Sequence, residues 1–181
     1  YFTEHFSVFT VTAPTAFSPL SRPAALPICQ RAAAGVAMLI TGVTAVHRSG
    51  LLTSASPALV NLADTIIPGC RSLSDAVQGE GGTMLAQLAH SAGTLSAELL
   101  GQPPWAPSPV RSALTGNVPP EISSPEPSAI IDASVAARSR VRVGGLDGIE
   151  LLPALGFLLH ASLPPLALTC VVLGRRTDLA R

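Results

Sequence analysis

A chain of 181 residues is long enough to enclose one sizeable core and short for two, so residues 1–181 read as a single domain. Apolar residues make up 48% and charged residues only 12%, which excludes a disordered chain and leaves a poorly charged surface. Eleven basic residues, all arginine, balance eleven acidic ones, so no electrostatic footprint for nucleic acid or anionic lipid is present. A neutral, apolar chain of this kind is expected to dissolve poorly unless a partner or further sequence covers part of it. The three cysteines, Cys29, Cys70 and Cys170, are far apart and odd in number. They write neither a disulfide framework nor a paired-cysteine zinc site, and read as small apolar side chains in a reducing, cytoplasmic setting with no metal. The chain opens at Tyr1 without a basic and then apolar leader, so no secretory signal is expected and the true N-terminus is left open.

In chain order, residues 7–12 alternate with Phe and Val and predict a short strand ended by Ala13-Pro14. Residues 24–34 are Ala-rich and stop at Gly35, as a helix does. Residues 36–46 form a nearly continuous apolar run with β-branched members, the pattern of one strand buried on both faces. Residues 66–78 place Ile67, Cys70, Leu73, Ser74 and Val77 on one helical face before the glycines at 79–82 end the helix. Residues 83–88 are again short and apolar. Residues 89–124 are irregular and Pro-rich, too long for a simple connector. Residues 124–143 predict a helix with a capping-box-like start, an apolar face at Ile130, Ile131 and Val135, and Arg138, Arg140 and Arg142 near its C-terminus. Residues 148–152 then predict a strand and 156–163 a short helical turn. This alternation of strands and helices implies a parallel α/β architecture of βα units.

Residues 149–174 carry no charge after Glu150 and are long enough to span a bilayer, which keeps a small membrane protein open as an alternative. Pro153, Pro164, Pro165 and His160 argue against it, because they break the run into two pieces and remove backbone donors. Two short buried elements explain the same composition.

Several blocks share an order that resembles the old yellow enzyme family of FMN-dependent NAD(P)H:flavin oxidoreductases. They are Arg31-Ala-Ala-Ala-Gly-Val-Ala-Met-Leu-Ile-Thr-Gly-Val43, Ile67-Pro-Gly-Cys-Arg71, Ala86-Gln-Leu-Ala-His90, Ala106-Pro-Ser-Pro109, Pro120-Glu-Ile-Ser123, Gly145-Leu-Asp-Gly-Ile-Glu150 and Arg175-Arg-Thr-Asp178. The resemblance implies a (β/α)8 TIM barrel, of which this chain supplies about the first four βα units, with FMN across the C-terminal strand ends. It also implies NAD(P)H as reductant and a small-molecule acceptor, an activated alkene or a related compound. The later strands, where the family holds the flavin phosphate and supplies an arginine to the ring, have no counterpart, so a homo-oligomer or a missing second half is expected.

The resemblance carries site residues over one at a time. Gln87 matches the glutamine whose amide bonds the flavin pyrimidine. Pro14 and Thr15 fall in the first-strand turn that touches the flavin, with the register open by one residue. Thr41, Gly42 and Val43 fall at the second strand end, where Val43 is bulkier than the family's usual small residue. His90 matches a histidine of the glutamine motif and is a substrate-side candidate. Where the family has two histidines and a tyrosine that bind the acceptor carbonyl and donate a proton, this chain has Leu152, Leu155 and Phe157. These side chains can neither polarise a carbonyl nor transfer a proton, which motivates a second reading as a truncated, catalytically inactive relative. His47 and His5 have no partner at catalytic spacing and read as surface residues, and His160 as a packed histidine. Asp147 suits the turn before its strand, and neither it nor Glu150 pairs with a base at catalytic spacing.

Overall fold

The structure, a computed structural model, describes residues 8–11, 22–51, 60–93, 104–112, 116–123, 125–153 and 157–162. Its elements are β1 (Val8–Val11), α1 (Arg22–Ala33), β2 (Met38–Thr41), β3 (Thr44–Ala45), α2 (Ile67–Gln78), β4 (Thr83–Ala89), α3 (Glu126–Val143), β5 (Gly148–Leu151) and α4 (Leu158–Ala161). Short 3-10 turns at Arg48–Gly50 and Asp64–Ile66 follow β3 and precede α2. All strand pairs are parallel: β1 with β2, β2 and β3 with β4, and β4 with β5. The expected run of βα units is therefore present.

Side-chain alternation along the strands separates two faces. Leu39, Met84, Ala86 and Leu88 point to the helices and pack with Ile28 and Ala32 of α1, with Cys70, Leu73 and Val77 of α2, and with Ala137 and Val141 of α3. The other face carries Ile40, Leu85, Gln87 and Glu150. In α2 the buried positions Cys70, Leu73, Ser74 and Val77 follow the predicted helical stripe, with Ile66 of the preceding turn buried and Ile67 half-buried. At the end of α1, Gly35 at φ +89° lets Val36 N–H reach Arg31 O and Gly35 N–H reach Ala32 O, closing the helix. Asp147 locks β5 to β4: its carboxylate accepts from Met84 N–H at 2.8 Å and from Gln78 Nε2 at 3.1 Å, and its own N–H donates to Met84 O.

Four expectations are corrected. The apolar run 36–46 is not one strand but β2 and β3, separated at Gly42 and Val43. The helix expected from 124 starts at Glu126, whose carboxylate accepts from Ser123 N–H, while Pro125 occupies the cap position without a side-chain bond, so the expected capping box is not formed. On that helix Ile130 is buried, but Ile131 and Val135 are 62% and 57% exposed, and the inner face is instead Ile130, Ala137 and Val141. The Pro-rich stretch is not wholly irregular, since Ala106 bridges to Glu121 and Ile122 N–H donates to Ala106 O. Residues 149–151 lie in β5 and α4 has four residues; among the described residues no helix is long and apolar enough to cross a membrane. The rest of that apolar run, 163–174, lies outside the described residues.

At Gly144, the residue that ends α3, the chain packs tightly on α2: an added Cβ would meet Cys70 Cβ. Gly144→Ala is expected to destabilise the fold by about 1–3 kcal/mol in urea unfolding. Adding Cys70→Ala is expected not to restore it, because the crowded atom is Cβ itself; recovery in the double variant would refute this packing.

Candidate functional site

The parallel strands end together near Thr41, Ala89 and Leu151, and the pairing there is irregular. Ile40 lies opposite Leu85 and Thr44 opposite Leu88, so three residues, 41–43, face two, 86–87. That count defines a β-bulge, a feature over-represented next to active sites. The bulge removes a backbone acceptor from β4, and the Thr41 hydroxyl replaces it by accepting from Gln87 N–H at 3.0 Å. Thr44 Oγ1 donates to Gly42 O at 3.2 Å and holds the other side of the bulge. Val43 sits in it, half-buried.

Gln87 occupies the face of β4 opposite the helices and is 7% exposed. Its Nε2 donates at 2.9 Å to Oε2 of Glu150, its register partner on β5, so the carboxamide plane is fixed by a charged acceptor. Glu150 thus has a partner that spacing along the chain did not reveal; the signal was only the register of two parallel strands.

His90 lies just past the end of β4 and is 5% exposed. Its Nε2 is 2.9 Å from Ser49 Oγ, and its Nδ1 accepts from Ala92 N–H at 3.2 Å. Burial, and then the neighbouring His47 charge, push its pKa down to about 4. His47 is not a surface residue as expected: it is half-buried, its Nδ1 lies 2.7 Å from Ser49 Oγ, and its ring stacks on Trp105 with centroids 4.6 Å apart. Burial lowers its pKa as well. Sequence reasoning missed Ser49 and Trp105 altogether, because neither belongs to a motif with a fixed spacing to His90.

Leu152 follows β5, donates its N–H to Leu88 O, and lines an apolar groove of about 460 Å³ with Ile131, Val135, Leu151 and Leu159. Phe157 is buried at the start of α4. His160 on α4 is exposed rather than packed inside. Pro14, Thr15, Leu155, His5 and Cys170 lie outside the described residues. Cys29 is half-buried and free; Cys70 is free in the core, where burial pushes its thiol up to about 11. Among the described residues no group of three or more His, Cys, Asp or Glu is placed to hold a metal.

A profile of the NADH:flavin oxidoreductase / NADH oxidase family matches residues 24–178. The chain is 34% identical over 148 residues to a metal reductase of Desulforamulus reducens, covering 82% of this chain and 21% of that protein. It is 31% identical over 148 residues to an NADPH dehydrogenase of Bacillus velezensis, covering 82% of this chain and 40% of that one. Among solved structures, morphinone reductase in complex with tetrahydroNAD superposes with a TM-score of 0.73 at 20% identity, over 84% of this chain and 46% of that chain. The chain therefore spans less than half the length of these proteins. The superposition makes the open parallel sheet part of a TIM barrel.

The Gln87–Glu150 pair yields a direct test. Glu150→Ala strands a nearly buried amide N–H and is expected to cost about 1–3 kcal/mol in chemical unfolding. Glu150→Gln, which keeps an acceptor oxygen, is expected to cost less; equal losses would show that charge rather than hydrogen bonding holds Gln87.

Proposed function

The chain belongs to the NADH:flavin oxidoreductase / NADH oxidase family, and from that premise we propose that it is the first four βα units of an FMN-binding, NAD(P)H-dependent oxidoreductase acting on a small-molecule acceptor. The observation that carries this reading is Gln87. A flavin pyrimidine edge alternates carbonyl oxygens with N–H, and a carboxamide can donate and accept to it together. Gln87 presents such a group at the C-terminal strand end, with one N–H tied to Glu150 and the rest of the amide turned from the helix layer. The donor set therefore fits one edge of FMN.

In this reading Gln87 holds the pyrimidine edge, Pro14 and Thr15 border the ring from the first strand, and the bulge residue Val43 packs against it. FMN supplies hydride transfer from the nicotinamide when bound. The NADPH dehydrogenase relative and the tetrahydroNAD complex of morphinone reductase support a nicotinamide reductant. An activated alkene or a related small molecule is the acceptor class, with His90 on the substrate side only through the loop that it anchors, since its ring is buried and bonded. The net charge of zero favours no nucleic-acid partner, and a cytoplasmic setting agrees with the free thiols.

A second reading, a catalytically inactive relative, is favoured by Leu152 and Phe157. Neither side chain carries a donor, so carbonyl activation from this segment is lost, a few kcal/mol of transition-state stabilisation. The exposed Ile131 and Val135, beside the outer strand β5, support completion of the barrel by further βα units or by a second copy.

Titration of the 181-residue chain with FMN, followed by flavin fluorescence, separates the two readings from a third. Saturable binding is expected, weakened about tenfold by Gln87→Ala, equivalent to about 1.4 kcal/mol. NAD(P)H-driven reduction of an enone would establish the enzyme reading, and binding without turnover the inactive one. Absence of saturable binding would overturn the FMN assignment for this chain.

A further inference from the structure

We propose that His47, Ser49 and His90 form a proton-sensitive clasp that ties the turn after β3 to the loop after β4 while both imidazoles are neutral and releases when either is protonated, with Ser49 as its positioning residue. The direction of every hydrogen bond in it is fixed by the backbone. Ala92 N–H donates to His90 Nδ1, so that nitrogen carries no proton and Nε2–H donates to Ser49 Oγ. Ser49 N–H donates to His47 Nδ1, which is likewise unprotonated and accepts the Ser49 hydroxyl proton at 2.7 Å. The chain therefore runs from His90 through Ser49 to His47, with His90 and the Ser49 hydroxyl each donating once and His47 accepting at its end.

Neither imidazole can take a second proton without breaking this order. A proton on His47 Nδ1 faces the Ser49 N–H and O–H that now point at it. The hydroxyl then has no acceptor in a residue that is fully buried. A proton on His90 Nδ1 faces Ala92 N–H, at a residue already held at φ +52°. The fit around the clasp leaves little room for the rings to turn away. A Cβ on Gly50 would meet the His90 ring, and Trp105 covers the outer face of His47.

The charged and titratable groups on the elements packed around the clasp are Arg48, Glu121, Arg138 and His160, all exposed, while the charge that acts on His90 is that of His47. Both folded-state pKa values are lowered, so the unfolded chain binds protons first as pH falls. The stabilisation is complete above about 6.5 and is lost as pH drops toward about 4. What the clasp positions is explicit. Ser91 N–H donates to Gly50 O, Ser91 Oγ to Leu51 O, and Leu158 N–H to His90 O, so the loop that Ser49 holds also anchors the first turn of α4.

Trp105 is the chain's one tryptophan, and stacking on His47 makes its fluorescence a reporter of that ring's charge. In the full chain, emission is expected to stay constant from pH 8 to about 6.5 and to change below it, with Ser49→Ala moving the midpoint up by about one unit. His47→Gln is expected to remove the part of the transition that reports the His47 ring charge and to leave only release through His90 at lower pH. A midpoint at the ordinary histidine value, unmoved by Ser49→Ala, would overturn the proposal. Nitrogen NMR of the wild-type imidazoles at pH 7 keeps the test open even where Ser49→Ala fails to fold. Both rings are expected as Nε2–H tautomers with bare Nδ1, and an Nδ1–H tautomer on either ring overturns the clasp.

Discussion

Strand β4 must satisfy its backbone against two neighbours at once, and the arrangement of the candidate site follows from how it does so. On one side β5 pairs with it in unbroken register from Leu85 to Leu88. On the other, β2 and β3 together form one line that carries an extra residue, so the backbone acceptor for Gln87 N–H is missing and a side chain has to supply it. Thr41 does, from a residue that is itself buried. An unsatisfied buried N–H would cost about as much as a whole core methylene or two, so the bulge and Thr41 are one device. It brings the Gln87 carboxamide, rather than an apolar side chain, to the strand end facing away from the helices.

Beyond Ala89 the chain leaves the sheet, and the same accounting continues with other partners. His90 O accepts from Leu158 N–H and His90 Nδ1 from Ala92 N–H, while Gly93 turns the chain at φ +83° against Pro119. Three segments distant in sequence, at 47–51, 90–93 and 104–106, thus share one set of bonds and ring contacts. Loops built this way are set by polar pairing rather than by apolar burial, which makes them responsive to protonation in a way the helix layer is not. Cys70 and its neighbours in that layer respond to volume instead.

The order of strands and helices was legible because helical and parallel-strand patterns are local. Cys70, Leu73, Ser74 and Val77 recur at helical spacing, and Gly35 and Gly144 mark real helix ends. The break at Gly42 and Val43 was not legible. A bulge changes register against a partner strand, and apolar residues on both sides of it read as one run. Ile131 and Val135 read as inward because an apolar stripe on a helix is normally buried; here part of the stripe of α3 faces solvent beside β5. His47 failed for a different reason. Its environment is made by Ser49 and by residues more than forty positions away, and no spacing rule connects them.

In the proposed function, holding a flavin edge and activating an acceptor are physically separate tasks, and the residues proposed for them differ in kind. The first needs a fixed carboxamide, and Gln87 is fixed twice, through its backbone by Thr41 and through its side chain by Glu150. The second needs a proton donor aimed at a carbonyl oxygen, and leucine at 152 and phenylalanine at 157 carry none. An acceptor that takes electrons without a proton from this segment would lose nothing by the exchange, whereas an enone would lose the polarisation that makes its alkene reactive. In the proposed enzyme, discrimination between acceptors would therefore rest on the residues after β5, and the hold on the cofactor on the residues of β4.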